Sequence, residues 1–227
     1  MPELASYKSE AELPVLRHQG SDLYFKQRGQ SLAIGWYGHR PIPVRAEDIL
    51  PCELAEIMPS QMTFTPEDWK GAMKGATEVI PVLKHSEIEE SMNGLFSFTV
   101  DNFPLMGEWS GLKGFWVAEA VWITHGCGVA RAMVEWIVNG HPTVAVHECD
   151  VNRFETHQLG SLHIEERGAQ NYVEVYDLLH PLQPMESPRP LRTTGFYQRQ
   201  QELGGYFLEA AGYERPQWYE ANAGLLA

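Results

Sequence analysis

The stretch that most restricts the fold is an apolar run with strand character, Phe115 to Val121, together with the turn and helix pattern directly after it. The run turns through Trp122-Ile123-Thr124-His125-Gly126-Cys127-Gly128 into an amphipathic segment. There Val129, Ala132, Met133, Trp136 and Ile137 recur at i, i+3, i+4, i+7 and i+8, the spacing of one helix face. Asn139-Gly140 supplies a stop, and Pro142 prevents resumption. The pattern predicts a strand feeding a Gly-containing loop that opens a helix. Unbonded N–H groups and the positive end of the helix dipole would then face whatever lies before the loop. Such an end holds a phosphate, a carboxylate or the electron-rich edge of a reduced flavin. The alternative is that Gly126 and Gly128 only let strand and helix pack closely, since a lone Gly-rich turn is a weak signal.

Composition narrows the partners. The chain has 227 residues, 44% of them hydrophobic, which suits one large or two modest domains with apolar cores. Its 30 acidic residues against 17 basic ones give a net charge of −13, and no Lys/Arg-rich run occurs, so nucleic acid is not an expected partner. No apolar run approaches ~18 residues, so no transmembrane helix is expected. The first twenty residues include Glu3, Lys8, Glu10 and Glu12 and lack an apolar stretch, which predicts no secretory signal. Three scattered cysteines, Cys52, Cys127 and Cys149, fit a reducing, cytoplasmic compartment rather than a disulfide framework. No HxxxH, HExxH or CxxC spacing occurs, and adjacent ligand types in His147–Asp150 would point to opposite faces of an extended segment, so no metal site is expected.

Asp22 to Tyr37 reads as a hairpin with its turn at Gln27–Gln30, ended by Pro41 and Pro43. Thr65-Pro66-Glu67-Asp68 carries a cap residue, a first-turn proline and an acid three residues after the cap. Trp69, Ala72, Met73, Ala76, Val79 and Ile80 then form one apolar helical stripe. Glu87–Glu90 and Leu95–Thr99 read as strands joined by a turn at Asn93-Gly94. Beyond Pro142 no long periodic segment is visible, and Gln200–Ala211 reads equally as a helix broken at Gly204-Gly205 or as a strand. A boundary is placed at 148/149.

Several of these segments resemble one family in order. Leu16-Arg17-His18-Gln19, with Leu23-Tyr24-Phe25 and Ile34-Gly35-Trp36-Tyr37-Gly38-His39-Arg40-Pro41, is similar to the second half of the flavin-dependent dimethylglycine oxidase, dimethylglycine dehydrogenase and sarcosine dehydrogenase family. Val117–His125 resembles bacterial dimethylglycine oxidases in particular. Likeness continues through Asn93–Thr99, Glu148–Phe154, Asn171–Tyr176, Leu179–Pro184 and Tyr213–Asn222. In the family the loop after Ser97-Phe98-Thr99 usually reads Pro-Asp-Gly. Here it reads Val100-Asp101-Asn102, and a less turn-like loop is expected.

The resemblance implies an α+β fold: a mixed or antiparallel substrate-side sheet of an amine-oxidase-like flavoprotein with flanking helices, plus a connecting domain. Residues 1–148 would be the C-terminal half of the FAD-dependent oxidoreductase domain and 149–227 part of the connecting domain. The implied reaction is oxidative demethylation of dimethylglycine or sarcosine by hydride transfer to FAD. The resemblance implies that Tyr24 is catalytic and touches cofactor, and that Val121, Trp122, Ile123 and Thr124 contact the flavin with Tyr24 across the cavity. Arg40 and His125 are candidate substrate-side groups, and Trp36 and Trp122 candidate walls for a methylated amine. No GxGxxG segment for the ADP half of FAD is read in these residues, and the folate-binding module of the family is expected to be missing as well. An internal fragment is therefore expected, needing both parts in cis or in trans; the alternative is a non-catalytic subunit.

Overall fold

The computed structural model describes residues 13–178 and 180–225. They form two units: one comprises the described residues up to Phe96 with Tyr172–Leu178, the other Ser97–Asn171 with the described residues from His180 onward. The architecture is α+β, and among the described residues the paired strands run antiparallel, with two isolated parallel bridges, Met106 to Asp150 and Arg192 to Tyr213.

In the first unit β1 (Leu16–His18), β2 (Leu23–Arg28) and β3 (Ser31–Trp36) make a three-stranded sheet in that order. Alternation along β2 sorts its residues by face. Leu23 and Phe25 are 0% and 2% exposed in the core, while Tyr24 and Lys26 point to the opposite face. The core face is covered by α1 (Pro66–Val79), whose Ala72 and Ala76 are fully buried and whose Trp69 and Val79 pack beside them. Of the stripe read from sequence, Trp69, Ala72, Ala76, Val79 and Ile80 belong to this core. Thr65 departs from expectation: its side chain does not cap α1, and its Oγ1 instead accepts a hydrogen bond from Asn93 Nδ2 at 3.0 Å.

That bond sits beside a second correction. Asn93-Gly94 is not a turn between two strands. It is the short strand β5 (Asn93–Gly94), paired with β4 (Gln61–Met62), and Glu87–Glu90 and Leu95–Thr99 have no ladder. Ile88 and Met92 stay exposed, so a hairpin over 87–99 would have no apolar face to bury.

In the second unit β6 (Leu105–Glu108) pairs with β7 (Trp116–Glu119), and α2 (Gly126–Asn139) packs its Ala132 and Met133 against Met106. Trp116 meets Trp136 edge to face at 6.1 Å. Gly140, at φ 82°, ends α2 in the left-handed conformation, and its N–H bonds the Trp136 carbonyl. Ile137, read as part of the packed stripe, is instead exposed with Val134 and Val138 on the outer face. The loop Val100–Asn102 forms a turn after all, because Asn102 takes a positive φ of 65° that asparagine tolerates.

The remainder holds more regular structure than its sequence showed. A 14-residue helix, α3 (Ser161–Glu174), buries His163, Arg167 and Asn171, a polar stripe at i, i+4 and i+8. Gln200–Ala211 is both of the alternatives: α4 (Tyr197–Glu202) gives way at Gly204 to β8 (Gly205–Ala210), which pairs with β9 (Tyr213–Tyr219). Pro216 is accommodated within β9 beside a register shift, where a missing N–H costs the ladder little. Buried ion pairs bind these pieces: Arg167 with Glu209 at 2.8 Å, and Arg189 with both oxygens of Glu214 at 2.9 and 2.5 Å.

Candidate functional site

The start of α2 is built as the apolar run predicted. β7 ends at Glu119, and Ala120, at φ 52°, turns the chain out of the strand. His125 N–H bonds Trp122 O at 2.9 Å and Gly126 N–H bonds Ile123 O at 3.3 Å, which closes the loop into the helix. The Cys127 and Gly128 amides, in the first turn, have no helical carbonyl to meet. Among the described residues no side chain caps this end, and no acid lies in its first turn. The positive helix end is thus left uncompensated.

Three observations bear on what this end can receive. A Cβ built on Gly126 or Gly128 meets nothing within 4 Å, so close packing of strand on helix is not what these glycines serve here. Ile123 is 100% exposed at the tip of the loop. Behind it Trp122 stacks on His125, with ring centroids 5.9 Å apart and planes at 12°, and Phe98 meets Trp122 edge to face at 5.7 Å. An open backbone cradle, a positive helix end and an aromatic support fit a flat, electron-rich ring system. Val121–Thr124 are the residues that would hold the pyrimidine edge of a flavin, and the Cys127 and Gly128 amides would face its negative charge.

In the first unit Arg17, Tyr24 and Gly35 are directly opposed across β1, β2 and β3. They form a row on the face away from α1. Tyr24 is 36% exposed, and burial, with the neighbouring Tyr176, holds its phenol above the usual value. It therefore remains a hydrogen-bond donor at neutral pH. Tyr37 lies 6.0 Å from Tyr24 and stacks on Tyr176 at 4.1 Å, and the Arg17 guanidinium covers the Tyr176 ring at 3.9 Å. His39 Nδ1 donates to the Arg40 carbonyl at 2.7 Å, and its Nε2 meets the Tyr172 hydroxyl at 2.6 Å. Burial raises the Tyr172 and Tyr37 phenols strongly.

The other expected residues divide between the units. Arg40 donates Nε and Nη2 to Asp68 at 3.0 and 3.2 Å. Trp36 lies on the α1 side, its indole N–H donating to Ser21 O, so Trp36 and Tyr24 occupy opposite faces of one sheet. A cavity of about 320 Å³ lined by Ser21, Asp22, Trp36, Lys74 and Glu78 lies on that α1 side too. Tyr24 and Arg40 belong to the first unit, and Val121–His125 to the second. Sequence reading missed Arg17, Tyr37 and Tyr176 as neighbours of Tyr24, and Tyr172 as a neighbour of Tyr37. The i, i+4 spacing of Tyr172 and Tyr176 was the available signal, and the three-residue β1 offered none.

Residues 139–194 match the family described as FAD dependent oxidoreductase central domain. The chain is 30% identical over 213 residues to 4-methylaminobutanoate oxidase (formaldehyde-forming) of Paenarthrobacter nicotinovorans, covering 92% of this chain and 25% of that protein. It is 28% identical to human mitochondrial sarcosine dehydrogenase, over 91% of this chain and 22% of the relative. It is also 28% identical to human mitochondrial dimethylglycine dehydrogenase, over 92% and 24%. The chain thus spans about a quarter of the length of the curated relatives it matches. It is a homologue of sarcosine and dimethylglycine dehydrogenases and of 4-methylaminobutanoate oxidase, and its match to the FAD dependent oxidoreductase central domain is confined to residues 139–194.

Proposed function

We propose that this chain serves an FAD-dependent amine oxidoreductase that demethylates a small N-methylated amino acid, with dimethylglycine and sarcosine the foremost candidates. The observation that carries the reading is the open, acid-free start of α2 behind the exposed Ile123, in a chain whose relatives act on N-methyl amines. FAD, when bound, supplies the two-electron acceptor for a hydride leaving the N-methyl carbon. As that C–H bond breaks, the lone pair of a neutral amine forms the C=N bond of an iminium ion. Water then releases formaldehyde and the demethylated amine.

In this reading Val121–Thr124 contact the flavin, and the Cys127 and Gly128 amides stabilise negative charge on its pyrimidine edge. A favourable helix-end contact of this kind is worth roughly 0.3–1 kcal/mol, up to ~2 when partly buried. Tyr24 is the catalytic-side donor, its protonated phenol hydrogen-bonding the substrate carboxylate or the flavin. Arg40, anchored by Asp68, and His125, stacked on Trp122, are substrate-side groups. Residues 1–148 are assigned to the substrate-side half of the oxidoreductase domain and 149–227 to the connecting domain. The activity draws on a dinucleotide-binding part and a folate-binding module, in cis or in trans.

The proposed compartment is reducing and cytoplasmic, in keeping with Cys52, Cys127 and Cys149 as free thiols. No helix among the described residues is long and apolar enough to cross a membrane.

The test is product chemistry on the flavin-loaded protein. One formaldehyde should appear for each N-methyl group consumed, and the demethylated amino acid with it. Consumption of amine without formaldehyde contradicts the reading.

A further inference from the structure

We infer that Gly35 is a positioning residue for Tyr24, and that its missing side chain sets where the Tyr24 hydroxyl sits. This rests on the proposed role of Tyr24 and adds the device that presents it. Tyr24 and Gly35 are direct cross-strand partners on the open face of the sheet. A Cβ built on Gly35 would fall 1.8 Å from Tyr24 Cζ, 2.0 Å from Cε1 and 2.2 Å from the hydroxyl oxygen. These are the atoms at the phenol end of the ring. The ring therefore lies down across the neighbouring strand, with its reactive end over the Gly35 backbone.

The glycine is there for space, since any side chain would fill the volume the phenol occupies. Elsewhere on a sheet a tyrosine stands roughly perpendicular to the strands, and its hydroxyl would then sit several ångströms higher. Tyr37, two residues beyond Gly35, flanks the reclining ring at 6.0 Å and is itself held by its stack on Tyr176. A glycine floor and a buttressed aromatic wall bound the phenol on two sides. The class of ligand it meets there is a small N-methylated amino acid, whose carboxylate takes the hydroxyl proton as a hydrogen bond.

The experiment is a double-mutant cycle on the flavin-loaded protein with Gly35→Ala, Tyr24→Phe, Tyr24→Ala and the combinations. Flavin reduction at saturating amine and thermal unfolding are measured for each. Gly35→Ala should slow reduction by roughly 10²-fold, the scale of a 1 Å misplacement, about as much as Tyr24→Phe, with no further loss when the two are combined. Gly35→Ala should lower the unfolding temperature when Tyr24 is present and leave it unchanged or raised in the Tyr24→Ala background, where the methyl group has room. Should Gly35→Ala alone fail to fold, recovery of folding in Gly35→Ala/Tyr24→Ala supports the inference, and failure of both overturns it. Equal effects of Gly35→Ala in both backgrounds also overturn it. Normal reduction by Tyr24→Phe, with the unfolding cycle still coupled, instead overturns the role assigned to Tyr24 and with it the positioning of a reactive group.

Discussion

Arg153 grips Asp101 with a forked pair of hydrogen bonds, Nε to Oδ2 at 2.7 Å and Nη2 to Oδ1 at 2.8 Å. The same guanidinium donates to the carbonyls of Asp150 and Phe103 and rides over the Phe154 ring at 4.2 Å. Asp101 Oδ1 also accepts from the Thr99 hydroxyl and the Phe103 N–H. One side-chain pair thus wires the 99–103 turn to the 150–154 segment.

This geometry predicts that Arg153→Lys is not conservative. Lysine offers a point charge without the planar fork, so the turn loses directed charge-assisted bonds worth about 1.5–3 kcal/mol each. Arg153→Lys and Asp101→Asn should each lower the urea midpoint, and the double variant should lose less than their sum. Unchanged midpoints would show that the pair contributes nothing.

Gly107 should tolerate no side chain, for two separable reasons. Its φ of 110° is a conformation L residues avoid, and an added Cβ would lie 2.9 Å from the Trp136 ring. Each costs of order 1–3 kcal/mol. Gly107→Ala should therefore destabilise strongly, and adding Trp136→Leu should recover only the steric part. Full recovery on shrinking Trp136 would mean the backbone strain is absent.

His163 predicts a pH dependence. It is 6% exposed; burial and then Arg167 lower its pKa below 6.5, with His157 acting the same way and Glu209 and Glu166 opposing. A folded-state value below the unfolded one means the unfolded chain binds the extra proton first. The stability that neutral His163 permits is complete above about pH 6.5 and is lost as the pH falls through the lowered folded value. Urea midpoints should drop between pH 7.5 and pH 5, and His163→Gln should flatten that drop. Identical slopes in both proteins would remove His163 as the cause.

These elements also show what the sequence could reveal. The hairpin β2–β3 and the helices α1 and α2 were legible because each buries apolar side chains at the period of its structure. Helix α3 was not, because its inward stripe is His163, Arg167 and Asn171, and a polar buried stripe leaves no hydrophobic period to read. The β4–β5 pairing was hidden because two-residue strands carry no pattern and depend on contacts such as Asn93 to Thr65. In the candidate site, the helix-opening loop was legible from its glycines and flanking periodicity. The Tyr24 surroundings were not, since Arg17, Tyr37 and Tyr176 meet only after the sheet and the segment after α3 have folded.

The most direct test is anaerobic titration of the flavin-loaded protein, in its natural assembly, with sarcosine, dimethylglycine and 4-methylaminobutanoate while absorbance near 450 nm is monitored. Bleaching by at least one of them, slowed in Tyr24→Phe, is the predicted result. A flavin that stays oxidised in the presence of all three contradicts the proposed demethylation.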